Sequence, residues 1–369
     1  MVWLTRSTSY ALPALLCTCL LVNGCVGPPG LTARSESAPE SGNERINPGT
    51  FDELPSSERA YVESALALLR ENYYAADRVD WSKLERIALE RLANVPTRVG
   101  SYIAINAVLE HIADGHNRFL SPALEQDNAI RVGALPEVEL STDRLISIAL
   151  PSVSTNHDTH DAYAMHAYAM IRKLYSDRVC GWIVDLRGNS GGSMYPPLAA
   201  VAPLLTGQQV MSLVDRDGTV IKHIAFDTKA RMLINGSPAE KALLEQDDAE
   251  ATVTAETLAI LRDPPLVGED QPVAVLTDVQ TASAGEALVV AFEGRSDTRR
   301  FGDATRGVPT GPRRFRLDDG AVLIVATTRM SDRTGVVYES AIQPNVESPD
   351  PAESAALWLL ETESCEHAS

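Results

Sequence analysis

Positive charge is scarce in this 369-residue chain: Lys and Arg total 32 against 50 Asp and Glu, a formal net charge of −18. That surplus of anionic groups argues against nucleic acid or an anionic membrane surface as the main partner, since both would repel it. No lysine occurs after Lys241, and cysteine is limited to five residues. Beyond the first two dozen residues no apolar run is long enough to cross a bilayer, and no long repeat is visible. The one glycine-rich loop lacks both the Walker lysine and dinucleotide-binding spacing, so a phosphate site is not expected. What is left is a globular chain able to bury one large core or two modest ones.

The N-terminus carries an address. Arg6 precedes ALPALLCTCLLV, residues 11–22, an apolar stretch of export-signal length that is too short to span a membrane. Gly24-Cys25 resembles the cleavage box of bacterial lipoproteins, with Cys25 as the lipid-modified first residue and Asn23 an unusual member. Ordinary secretory cleavage and an uncleaved anchor are the alternatives. The expectation is a signal peptide over 1–24, a Gly/Pro/Ser/Glu-rich tether over 25–50, and an exported domain held to a bacterial membrane by lipid alone, facing the periplasm. Of the cysteines, this leaves Cys180 and Cys365 in the folded part. The reading adopted is a buried Cys180 thiol with Cys365 in a loose tail, 351–369; pairing in an oxidising compartment is the other possibility.

Periodicity divides the rest. Tyr61, Ala65, Leu68 and Leu69 share one helical face; Trp81, Leu84 and Ile87 begin a second; Ile105, Val108, Leu109 and Ile112 mark a third. An N-terminal helical bundle over 51–120 follows, ending in an Asp-Gly-His turn at 114–116. Strand-like runs RLISIAL (144–150) and WIVDL (182–186) flank a helical pattern at 163–174, which predicts a parallel βαβ unit. PVAVL (272–276) adds a buried strand, and 315–327 predicts a hairpin around Asp319-Gly320. The fold class is therefore α/β, with a core over 121–206 and 270–350. The mixed, charged segment 207–269 is expected as an inserted cap.

Three patches carry chemistry-bearing residues: the turn at His116, the loop DLRGNSGG (185–192), and TASAGEALVVAF (281–292). Each alone is weak; a serine at a helix entrance is usually a cap and a histidine at a helix end usually a polar terminator. Loops at the carboxyl ends of parallel strands gather on one edge, however, so the second and third should be neighbours. Acyl transfer needs a nucleophile, a proton acceptor and N–H groups aimed at an oxyanion. Ser283, His116, and the amides of Gly191, Gly192 and Ala284 could supply them.

GWIVDLRGNSGG, TASAGEA, FGDATRG and DGHNRF, in their places along the chain, resemble the tail-specific or C-terminal-processing serine proteases. The similarity is closer to members without a PDZ domain, such as the repeats of interphotoreceptor retinoid-binding protein, the tricorn core and the nisin-resistance proteins. It extends over about 52–349. The resemblance implies a ClpP/crotonase-like core, Ser283 as nucleophile, Gly191 or Gly192 with Ala284 as oxyanion hole, and no metal or organic cofactor. The lysine base of the PDZ-containing branch has no counterpart in ATRGVPTGPRR (304–314). His116 is then the expected base, and Glu339 the expected carboxylate orienting it, with Asp332 its rival. Pro344-Asn345 stands where the family has Pro-Asp.

Two further candidates are weighed. His157 and His160 could ligate zinc, but no third ligand converges on them. Arg306, Arg313 and Arg314 could hold a substrate carboxylate or simply solvate a surface. The expected function is an envelope serine endopeptidase acting on peptides or unfolded proteins; the alternative is a catalytically silent peptide- or lipid-binding module on the same fold.

Overall fold

The structure is a computed structural model that describes residues 54–124, 134–141, 144–153, 160–244, 265, 267 and 271–367. The expected signal peptide, the tether and Cys25 lie outside these residues.

Three helices open the described part of the chain: α1 (Ser56–Asn72), α2 (Trp81–Asn94) and α3 (Arg98–Ile112). Asp80 caps α2 by accepting from the Lys83 amide, and Thr97, just past the Pro96 break, caps α3 through the Gly100 amide. Their apolar faces, including Val62, Leu69, Leu84, Leu92, Ile105 and Val108, form one core with Leu323 and Val325 of a sheet strand.

That strand is β12 (Val322–Asp332), the hub of an eight-stranded sheet. Pairing with it are β1 (Arg118–Leu120), β5 (Gln209–Val214), β11 (Thr310–Arg316) and β13 (Val337–Tyr338), all antiparallel. Beyond β5 the sheet continues through β6 (Val220–Phe226), β7 (Met232–Ile234) and β8 (Ser237–Pro238), which leads into α6 (Ala239–Leu244). The segment expected as an inserted cap thus begins as four strands added to the sheet; most of its second half lies outside the described residues. The predicted hairpin is β11–β12, turning at Leu317 to Gly320.

The second sheet has six strands in the order β14-β10-β9-β4-β3-β2. Parallel pairing joins β3 (Leu145–Ala149), β4 (Gly181–Asp185), β9 (Val273–Thr277), β10 (Thr298–Gly302) and β14 (Val346–Glu347); β2 (Glu137–Ser141) closes one edge antiparallel. Its inner strands are apolar on both faces because both are covered. Trp182, Val184, Val273 and Val275 share a core with α4 (His160–Leu174), α5 (Tyr195–Ala200) and α7 (Ala284–Phe292). Ile183, Ala274 and Leu276, one residue out of phase, meet Ala355 and Leu359 of α8 (Pro351–Leu360) on the opposite face. The βαβ unit and the helical N-terminal region are as the periodicity predicts.

The reading of Cys180 as a free thiol and Cys365 as part of a loose tail is corrected. Residues 351–367 fold as α8 and α9 (Glu363–His367), Cys365 is fully buried, and it forms a disulfide with Cys180 at the entrance to β4. Helical packing over the outer sheet face brings the two together, a contact that periodicity within either segment cannot reveal. Because the bridge links residues 185 apart in sequence, reduction should cost about 2–5 kcal/mol of stability. Denaturant melts with and without a phosphine reductant should show that loss, reproduced by Cys365→Ser; an unchanged midpoint would contradict it.

Candidate active site

The end of β9 turns through Asp278 and Thr281 into α7. Asp278 organises this turn: its Oδ1 accepts from the amides of Gln280 and Thr281, and its carboxylate from the amide of Gly188 in the loop after β4. Thr281 Oγ1 donates to the Leu186 carbonyl at 2.9 Å, a second tie between the two loops. Adjacent parallel strands therefore deliver the serine and the glycine loop to one edge, as the topology requires.

Ser283 sits at the cap of α7 with φ 53° and ψ −112°. A non-glycine residue rarely adopts that backbone, which costs about 1–3 kcal/mol and persists only where surroundings enforce it. The enforcing group is Glu286. Its carboxylate, fully buried, accepts from the Ser283 amide (2.8 Å), the Thr305 hydroxyl (2.7 Å), the Gly307 amide (2.8 Å) and the Val308 amide (3.0 Å). Burial pushes its pKa up, while these four donors pull the other way.

Close packing explains two glycines. A Cβ on Gly285 would lie 2.6 Å from the Asn189 carbonyl oxygen, and one on Gly191 would lie 2.8 Å from Ser283 Cβ. Asn189, itself buried, donates from Nδ2 to the Leu150 carbonyl and accepts the Gly191 amide at Oδ1. The Gly191 N–H is thereby engaged. Among the described residues no acceptor meets the N–H groups of Gly192 and Ala284, so within that set it is Gly192, not Gly191, whose N–H is open.

His116 comes from the turn that ends the helical region. Helix α3 ends at Ala113 in the left-handed conformation, and Asp114 Oδ1 then accepts from the amides of His116 and Asn117. Asn117 Oδ1 accepts the Ala326 amide and fastens the turn to β12. His116 is 8% exposed, with Nε2 3.1 Å from Ser283 Oγ and Nδ1 2.5 Å from Thr310 Oγ1. Burial, reinforced by the positive charge of Arg118, lowers its pKa from 6.5 to about 4. A neutral imidazole touching a serine hydroxyl can accept its proton.

Glu339 does not reach the imidazole, which corrects the expectation that it orients His116. Its carboxylate takes Arg78 at 2.8 Å and Arg329 at 2.5 Å, and these guanidinium groups hold its pKa down to about 2. Asp332 is also committed elsewhere, accepting from Thr334 and the Tyr338 hydroxyl. The residue on Nδ1 is Thr310, and Glu286 is the buried carboxylate of the site. The spacing of Ser283 and Glu286 is that of a capping box, a signal legible in the sequence; nothing in the sequence marks Thr310. Arg306, Arg313 and Arg314 are exposed. His157 lies outside the described residues, and among the described residues no group of three potential ligands could hold a metal.

The family model described as peptidase family S41 matches residues 147–348. The chain is similar to the nisin-resistance protein of Lactococcus lactis subsp. lactis, 24% identical over 310 residues, covering 83% of this chain and 88% of that one. Among solved structures it is similar to a lipoprotein from Streptococcus agalactiae, with TM-score 0.65, 23% identity and coverage of 83% and 97% of the two chains. It is also similar to the photosystem II D1 C-terminal processing protease, with TM-score 0.52, 15% identity and coverage of 84% and 99%.

The burial of His116 has a thermodynamic signature. A folded-state pKa of about 4 against the ordinary 6.5 means the unfolded chain binds the proton first as pH falls, so stability is lost between those values, by about 3 kcal/mol in all. Wild-type stability should therefore fall from pH 6.5 to pH 4 more steeply than that of His116→Gln, measured by denaturant unfolding at each pH. Parallel curves would contradict this.

Proposed function

From the premise that the chain belongs to peptidase family S41, we propose that it is a working serine endopeptidase of the bacterial cell envelope. The observation that carries the reading is the 3.1 Å approach of His116 Nε2 to Ser283 Oγ, between residues 167 apart in sequence.

In this mechanism Ser283 Oγ attacks a peptide carbonyl while His116 Nε2 takes its proton. The Ala284 and Gly192 amides donate to the carbonyl oxygen as it becomes anionic, and the N-terminal end of α7 adds its positive dipole. The imidazolium then protonates the leaving amine. Water, deprotonated by the same imidazole, releases the acyl group from Ser283. The left-handed backbone at Ser283 supports the assignment, because strain of that kind concentrates at functional positions.

Peptide or protein chains are the substrates. The working division is a helical region over 51–120, a core over 121–206 and 270–350, and an insertion over 207–269. An envelope location is supported by the export signal with Cys25 and by the Cys180–Cys365 disulfide, a bond that persists outside the reducing cytosol. The similarity to the lipoprotein from Streptococcus agalactiae is in keeping with a lipid anchor. No described helix is long and apolar enough to cross a membrane.

The test is cleavage of a mixed peptide pool read by mass spectrometry. Ser283→Ala and His116→Ala should each lower cleavage on the order of 10³-fold or more, while EDTA leaves it unchanged. Cleavage surviving Ser283→Ala would sink the mechanism. A wild-type chain that binds peptides without cutting any would identify a binding module instead.

A further inference from the structure

The serine–histidine pair leaves one atom of the imidazole to be explained. For Nε2 to accept a proton from Ser283 it must carry a lone pair, and in a neutral ring the proton then resides on Nδ1. Something must hold it there. In the triad arrangement of serine hydrolases that task falls to a carboxylate, which also stabilises the imidazolium formed during reaction. The obvious carboxylates here are spoken for: Glu339 by Arg78 and Arg329, Asp332 by Thr334 and Tyr338, and Glu286 by Ser283, Thr305, Gly307 and Val308.

We propose that Thr310 is the positioning residue of the site, its hydroxyl accepting the Nδ1 proton of His116 and so fixing the tautomer in which Nε2 faces Ser283. The inference rests on the peptidase reading above and deepens it. Its geometric basis is the 2.5 Å separation of Thr310 Oγ1 from Nδ1, in surroundings that leave Thr310 4% and His116 8% exposed. Water cannot readily substitute for a partner at that depth, and an unpaired buried N–H is costly.

The placement of Thr310 is itself over-determined. It is the first residue of β11, opposite Arg329 of β12, and its amide donates to the Val308 carbonyl at 2.8 Å. Next to it the Pro309 carbonyl accepts the Met330 amide. Val308 is in turn held by Glu286, whose Oε2 accepts both the Val308 and the Ser283 amides. A closed circuit results, running from Ser283 through Glu286, Val308 and Thr310 to His116 and back to Ser283. Nucleophile and base are thus positioned by one buried carboxylate acting on two backbone segments.

A neutral orienting group has a chemical consequence. The hydroxyl fixes the ring without supplying the negative charge that would favour imidazolium, and Arg118 stands near enough to disfavour it further. The base is kept neutral into acid at the expense of charge stabilisation when it is protonated.

The experiment uses the full chain labelled with ¹⁵N only at histidine. Long-range proton–nitrogen correlation spectra are recorded at neutral pH, and His116 is assigned by the signal lost in His116→Gln. The inference requires the Nδ1–H tautomer in the wild type; an Nε2–H tautomer overturns it. Thr310→Val, close to isosteric, should shift the tautomer balance and lower kcat on the order of 10–100-fold with little change in KM, whereas Thr310→Ser should restore both. A Thr310→Val chain that cleaves like the wild type overturns the positioning role. Because the spectrum is read without substrate, a wild-type chain that hydrolyses nothing counts against the peptidase reading alone, and the tautomer still decides the inference.

Discussion

The hydrogen bonds of one buried carboxylate, Glu286, hold the site in its shape. Removed wholly from solvent, it accepts four donors drawn from the Ser283 amide, the Thr305 side chain and the 307–308 backbone. An anionic group at that depth is tolerated only when its acceptor capacity is filled. The same bonds that satisfy it also impose the unfavourable backbone at Ser283 and fasten the segment leading into β11. Stability and strain are coupled here: the folded surroundings offset a conformation that a free chain would avoid.

Two sheets with different tasks meet at this point. The parallel sheet supplies Ser283 and the glycine loop from the ends of neighbouring strands β9 and β4, locked by Asp278 and Thr281. The antiparallel sheet supplies Thr310 from β11 and, through the Asn117 bond to β12, the turn bearing His116. The ion pairs of Glu339 with Arg78 and Arg329 tie the helical region to the antiparallel sheet near that turn. In the proposed mechanism, then, the buried histidine is a base that remains neutral because of its depth, and the oxyanion donors are backbone amides that need no reorganisation when charge develops.

Much of this was legible in the residues. The helical faces at 61–69 and 105–112, the apolar runs at 144–150, 182–186 and 272–276, and the hairpin turn at Asp319-Gly320 each follow from local periodicity, which is why they could be read one segment at a time. The order of Asp-Gly-His, the glycine loop and Thr-Ala-Ser-Ala-Gly predicted which side chains would converge. Partners set by long-range packing escaped. Glu339 lies where a family resemblance would put an orienting carboxylate, yet Arg78, contributed 261 residues earlier, claims it. Thr310 is an ordinary strand residue until β11 is laid beside the turn after α3. Cys180 and Cys365 gave no periodic signal of their contact, because it depends on how α8 and α9 cross the outer face of the sheet.

The central claim is that Ser283 is an activated nucleophile and His116 the group that activates it. Labelling of the native chain with a fluorophosphonate, followed by intact-mass and peptide mapping, tests this without knowledge of the substrate. The account predicts a single adduct on Ser283 in the wild type and its loss in His116→Ala. An unlabelled Ser283 in the folded wild type, or equal labelling with and without His116, would contradict it.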